Sequence, residues 1–277
     1  GLNRAETTDL SDQNDVLNTI LPLSQLNEPG FQEGSIFTDT TLSSGGSHTC
    51  AILDNGSVSC WGSGGSLGNG GTSDKTTPTL TSSLGAGRTA VALSSGGSHT
   101  CAILDNGSVS CWGDGFWGQL GNGDSGGLAS KYTPTPTSSL GTGRTAVAIS
   151  SGDSHTCVIL DNGAVSCWGW GLYGQLGNGA TSVKSTPTLT SSLGTGRTAV
   201  ALSSGKHHTC AILDNGAVSC WGDGSPGQLG NGGTSDKTTP TLTSSLGTGR
   251  TAVAISSGSF HTCAILDNGD VSCWGEG

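Results

Sequence analysis

The chain has 277 residues, with 49 glycines, 10 cysteines, no methionine, 11% charged and 5% aromatic residues, and a net charge of -10. That acidity disfavours a nucleic-acid partner, whose phosphates need clustered Lys and Arg, and no apolar run approaches the roughly 20 residues of a membrane helix. Small side chains and many turn formers suit short strands and tight loops, and regular apolar alternation separates the chain from disordered sequences of similar composition.

Residues 1–34 carry Arg4 against Glu6, Asp9, Asp12, Asp15, Glu28 and Glu33, so half of the net charge lies ahead of the rest. The chain opens at Gly1 with neither Met nor an apolar leader, and the expectation is a processed form or a piece of something longer. From residue 35 to 277 one unit recurs. The stretch His48-Thr49-Cys50-Ala51-Ile52-Leu53-Asp54-Asn55-Gly56-Ser57-Val58-Ser59-Cys60-Trp61-Gly62 returns almost unchanged from His99, His155, His208 and His261. Its first cysteines fall at 50, 101, 157, 210 and 263, a period of 51 to 56 residues that assigns the variation to loops.

The second unit shows the layout. Arg88 to Leu93 alternates apolar and small residues and stops at Ser94-Ser95-Gly96-Gly97, the pattern of a strand ended by a turn. A strand from His99 to Leu104, the turn Asp105-Asn106-Gly107 and a return strand from Ser108 to Trp112 follow. A three-residue loop sets Cys101 opposite Cys111, within disulfide reach, whereas a two-residue Asn-Gly turn would set Cys101 against Trp112. The same pairing is expected for Cys50 with Cys60, Cys157 with Cys167, Cys210 with Cys220 and Cys263 with Cys273. Cys101, Ile103, Val109 and Cys111 then share one face and Ala102, Leu104 and Trp112 the other, so both faces are apolar, as for a sheet packed between two sheets. A variable stretch, the motif Gly118-Gln119-Leu120-Gly121-Asn122-Gly123 and a Thr/Pro strand over Thr133 to Leu140 complete about four strands in some fifty residues. Those are the dimensions of a propeller blade.

The Ser-Ser-Gly-x-x-His-Thr start, Leu-Asp-Asn-Gly hairpin, Trp-Gly and Gly-Gln-Leu-Gly-Asn-Gly together resemble the repeat of the regulator of chromosome condensation family, over roughly residues 35 to 277. The resemblance implies an all-β β-propeller, here of about five blades where the family usually has seven. It also implies any of several functions: nucleotide exchange on a small GTPase, light sensing, or inhibition of a secreted enzyme. Paired cysteines are not general in that family. Here five such pairs indicate an oxidising compartment, and secretion to the extracellular space or cell surface is expected.

The fifth unit ends at Trp274-Gly275-Glu276-Gly277 and lacks its last strand. Residues 18–26 resemble Thr239 to Leu246, so the N-terminal segment is expected to complete the last blade. Closure within the chain is favoured over donation to another copy, which would make residues 1–34 a self-association element. For chemistry, the histidines two residues before the first cysteines offer three ligands per unit where zinc needs four, and each Asp of the turns brings one carboxylate where calcium needs six to eight oxygens. No metal or cofactor is expected. Arg88, Arg144, Arg197 and Arg250 read as structural or solvated. No Ser-His-Asp set stands out from the repeat symmetry, so no enzyme is expected.

What does break the symmetry follows each Trp-Gly. Phe116, Trp117, Trp170 and Tyr173 stand in the second and third units where the first and fourth carry small residues. Large aromatics on adjacent rigid loops are the material of binding hot spots, and they make a protein or glycan partner the leading expectation. The alternative is that Trp117 and Tyr173 merely pack. A structural subunit of an extracellular assembly and an inhibitor of a secreted enzyme remain alternatives. Asn55 and Asn106 each begin Asn-Gly-Ser, the signature of glycan attachment.

Overall fold

The structure is a computed structural model that describes residues 42–276. These form five antiparallel sheets, the blades of a β-propeller. Blade one contains β1 (Leu42–Ser44), β2 (His48–Ile52), β3 (Val58–Gly62) and β4 (Lys75–Leu80). Blade two contains β5 (Ala90–Ser95), β6 (His99–Leu104), β7 (Val109–Gly113) and β8 (Lys131–Pro136). Blade three runs from β9 (Ala146–Ser151) through β10 (His155–Leu160) and β11 (Val165–Gly169) to β12 (Lys184–Leu189). Blade four runs from β13 (Ala199–Ser204) through β14 (His208–Leu213) and β15 (Val218–Gly222) to β16 (Lys237–Leu242). Blade five has three described strands, β17 (Ala252–Ser257), β18 (His261–Leu266) and β19 (Val271–Gly275). The fourth strand expected from residues 18–26, and the acidic segment 1–34 as a whole, lie outside the described residues.

The hairpin register is the expected one. Cys101 opposes Cys111 and Ile103 opposes Val109. Leu104 N–H donates to Ser108 O at 2.8 Å and Gly107 N–H to Leu104 O at 2.8 Å, closing the turn. Gly107 sits at φ +74°, a conformation that glycine enters without steric cost. All five expected disulfides are present, each joining opposed Cα atoms 4.1 Å apart. The last strand departs from expectation: β8 is Lys131–Pro136, not Thr133 to Leu140. Thr137 N–H reaches across to Val109 O and Ser138 N–H to Gly121 O, so the chain leaves the ladder there to brace the Gly-Gln-Leu-Gly loop.

The two faces of each inner blade pack as the register requires. Cys101, Ile103, Val109 and Cys111 meet Val158, Leu160 and Trp168 of blade three. Ala102, Leu104 and Trp112 meet Cys50, Val58 and Cys60 of blade one. Polar stitches repeat at every joint. Trp168 Nε1–H and Thr156 Oγ1–H both donate to Gln119 O, at 2.9 and 3.1 Å, which explains why the loop carrying Gln119 must be rigid. Gly121, at φ +69°, lies so close that a Cβ would stand 2.7 Å from Trp168 Nε1. Because the Thr156 proton is committed to that carbonyl, its oxygen accepts from His99 Nε2–H at 2.9 Å. His48, His155 and His208 make the same bond to Thr100, Thr209 and Thr262. The serine pairs join the innermost strands: Ser151 N–H donates to Ser94 Oγ at 2.8 Å, and Ser95, Ser204 and Ser257 repeat the bond one blade along.

The uneven period resolves into two loops. From Trp61 to Leu67 is six residues where Trp112 to Leu120 is eight, and from Leu120 to Lys131 is eleven where Leu176 to Lys184 is eight. Two residues lost and three gained turn a common 53 into 51 and 56. Among the described residues the outer face of blade five is open. Ile265 is 45% and Val271 65% exposed, against 3% and 1% for Ile212 and Val218 at the same positions of blade four.

Candidate interaction surface

Each blade has two ends. At one lie the Leu-Asp-Asn-Gly hairpins, and at the other the Trp-Gly loops and the Ser-Ser-Gly turns, because His99 pairs with Gly113 at the start of the hairpin. The hairpin end is regular. Arg88 pairs with Asp105, Arg144 with Asp161, Arg197 with Asp214 and Arg250 with Asp267, N to O separations running from 3.2 to 3.5 Å. The recurring arginines thus serve their own blade's turn. Asn55 and Asn106 are exposed there, and Asn106 Oδ1 accepts from Ser108 N–H at 3.1 Å and Ser108 Oγ–H at 2.7 Å.

The opposite end carries the irregular residues. The Ser-Gly turns of all five blades line an axial depression of about 370 Å³ in which Asp153 and Lys206 are the charged groups. Beside it the aromatic residues singled out in the sequence do converge. Phe116 meets Trp117 edge to face at 4.8 Å, and Trp117 stacks on Trp170 across the blade joint at 5.7 Å. Trp170 meets Tyr173 edge to face at 5.5 Å. Offset and edge arrangements of this kind favour a fixed geometry. Phe116 is 46% and Trp117 39% exposed, and Trp170 and Tyr173 are part-buried. The Tyr173 ring is held between Trp170 and His207.

Two members were not anticipated. His207 contacts both Trp170 at 4.8 Å and Tyr173 at 5.1 Å, and so extends the strip into blade four. Burial lowers its pKa first of all, so the ring is held toward the neutral form. Phe260 of blade five lies under Lys206 Nζ, 5.4 Å from the ring centroid. The signal was available in the two residues between Ser-Ser-Gly and His-Thr. These read Gly46-Ser47, Gly97-Ser98, Asp153-Ser154, Lys206-His207 and Ser259-Phe260, drifting from small to charged and aromatic along the chain.

The loop scaffolding is specific. Trp117 N–H donates to Gln119 Oε1 at 2.9 Å, and Gln119 Nε2–H donates to Asp114 Oδ2 at 3.0 Å. The three residues added before Lys131 fold back on this loop, Gly126 N–H donating to Phe116 O at 2.7 Å. An ion pair of Lys131 with Asp124 at 2.8 Å holds their base and keeps the Asp124 carboxyl below its usual range.

Comparison with known proteins agrees with this architecture. A sequence profile of the RCC1-like domain matches residues 7–277. The chain is 34% identical over 237 residues to the Arabidopsis thaliana ultraviolet-B receptor UVR8, covering 84% of this chain and 52% of that protein. It is 33% identical over 238 residues to the human E3 ubiquitin-protein ligase HERC2, covering 85% of this chain and 5% of that one. The chain thus spans about half or less of these relatives. Among solved structures, human WBSCR16 superposes with a TM-score of 0.78 at 20% identity, covering 85% of this chain and 61% of that chain. Yeast RCC1 (Prp20), in a structure where it is bound to Kap60, superposes with a TM-score of 0.73 at 20% identity, covering 84% and 55%. Propellers of this kind mediate protein interactions. With the profile running through every blade and the repeats folding as those of a propeller, the chain belongs to the RCC1-like domain family.

Proposed function

We propose that this propeller is a non-enzymatic interaction domain of an extracellular protein, which binds a protein partner through the loop end, with affinity concentrated on Phe116, Trp117, Trp170 and Tyr173. The observation that carries this is the continuous aromatic strip across the joint between blades two and three, on loops where the repeats depart from one another. Half-exposed rings braced by their own loops lose little entropy on docking, which is what makes such residues hot spots. The five disulfides support the oxidising compartment. On this reading glycans at Asn55 and Asn106 would stand at the hairpin end and leave the loop end clear.

The test is selection of binders from a displayed peptide library on the wild-type chain, with counter-selection on the F116A/W117A double variant. Binders that the double variant loses are expected. A library yielding only binders indifferent to the two substitutions would refute the loop-end reading. Self-association is a second reading, favoured by the open face of Ile265 and Val271. Light scattering of the full chain decides it: a monomer at all concentrations removes it.

A further inference from the structure

We propose that the strip receives a proline-rich segment in the polyproline II conformation, an inference that rests on the loop-end reading above and names the chemistry of the partner.

The argument begins with one buried amide. In blade two both ends of the Gln119 amide are satisfied, the oxygen by Trp117 N–H and the nitrogen by Asp114. In blade three the oxygen of Gln175 likewise accepts from Tyr173 N–H at 3.0 Å. The residue at the place of Asp114 is now Trp170, which brings no carboxylate. Gln175 is 0% exposed and its Nε2 has no partner. A buried donor left unmade is costly, because it loses its water without gaining an acceptor. The residue change that brought an indole to this loop therefore also left the Gln175 amide N–H2 without the acceptor that Gln119 has. Gln228 Nε2 is unpartnered for a different reason. Pro226 has no N–H to offer, so the Gln228 oxygen turns to Gly227 N–H at 3.1 Å.

The other polar atoms of the strip point the same way. The indole N–H groups of Trp117 and Trp170, the Tyr173 hydroxyl and the Lys206 ammonium can all donate, and none has an acceptor among the described residues. Beside Phe116 and Trp117 the carboxylate is committed: Asp114 accepts from Phe116 N–H, Gln119 and Ser130. Asp153 and Asp223 stand at the other end, where both act on His207.

Aromatic faces surrounded by donors with few free acceptors fit a ligand of aliphatic rings whose polar atoms only accept. Proline residues have no N–H, and a polyproline II helix presents its carbonyls fully solvated, in a conformation that is already ordered before binding. A sugar carries a donor with every acceptor, and the carboxylate beside Phe116 and Trp117 has no free oxygen to receive it.

The experiment is titration of the full chain with a capped decaproline peptide, followed by tryptophan emission and calorimetry, beside a capped Gly/Ser peptide of equal length and chitohexaose. Saturable binding of decaproline alone is expected. Trp170→Asp gives Gln175 the carboxylate that Gln119 already has, so it should fold with an undiminished denaturation midpoint and bind decaproline about tenfold more weakly or worse. Absence of saturable decaproline binding, equal binding by Trp170→Asp, or saturation by chitohexaose instead would each overturn the proposal. The library selection separates this from the broader reading: strip-dependent binders without proline would leave the loop-end surface standing and remove its polyproline specificity.

Discussion

Acidification should unfold this protein through the histidines of its blade joints. His99 and His155 are fully buried, with Nε2–H given to a threonine and Nδ1 without a partner. Burial pushes both down to about 3, neighbouring histidines adding to the effect. It pushes His48 and His208 to about 4. Above pH 6.5 all four are neutral in the folded and unfolded chain alike, and the stability they permit is fully present. Below 6.5 the unfolded chain takes up protons that the native state refuses. Stability then falls by about 1.4 kcal/mol per pH unit for each histidine until its folded pKa is reached. At pH 5 the loss is about 2 kcal/mol for each and about 8 kcal/mol for the four, comparable with the 5 to 15 kcal/mol that holds a typical domain. Urea denaturation followed by emission of the buried Trp112, Trp168 and Trp221 at pH 7, 6 and 5 measures this directly. The His155→Gln variant should recover about 2 kcal/mol of the acid-dependent part. A stability unchanged within 1 kcal/mol between pH 7 and 5 would refute the account, because it would mean that the joints accept the imidazolium form.

Three further outcomes follow from the packing. Replacing Cys101 and Cys111 by serine should cost about 2 to 3 kcal/mol, as expected for a bridge closing a loop of some ten residues, measured as a lowered denaturation midpoint. Gly121→Ala should destabilise by several kcal/mol, combining a left-handed backbone with a Cβ driven against the Trp168 indole, while the same change at Gly126, which has nothing within 4 Å, should cost far less despite its φ of +89°. Arg144→Ala should change stability by less than about 1 kcal/mol, since its ion pair with Asp161 is more than a third exposed on both sides.

Much of a blade could be read from the residues because several constraints coincide on one register. The cysteines ten apart around Asp-Asn-Gly admit only one pairing that lets both sulfurs meet, and that pairing fixes which residues face which neighbour. The end of the fourth strand was not legible. Thr135, Thr137 and the following serines alternate alike on either side of Pro136, and what stops the strand is a pair of acceptors, Val109 O and Gly121 O, brought there by distant segments. At the loop end the aromatics were visible as departures from the repeat, but their convergence with His207 depends on which loops share an end, which follows only once the hairpin direction is known. Gln175 was harder still. Its unmet donor exists only by contrast with the Gln119 to Asp114 bond, a contact between side chains five residues apart that no periodicity announces.

The joints also dictate where this chain can change length. Trp168 and Thr156 meet the carbonyl of Gln119, and blade one keeps the equivalent carbonyl of Ser66 on Trp112 and Thr100 although its loop is two residues shorter, so any change of length between Trp112 and Leu120 must leave that hanging point in place. Past Gly123, whose N–H still donates to Ser185 O of blade three at 2.9 Å, comes the stretch of variable length that ends where Lys131 rejoins the ladder opposite Gly113. Repeat two already holds three extra residues in that stretch, with Leu128 96% exposed at their tip. That stretch is accordingly the natural port for grafting foreign sequence. The corresponding stretches of blades one, three and four open on the same side, so a set of four inserts would be displayed together around one axis on a disulfide-stapled frame.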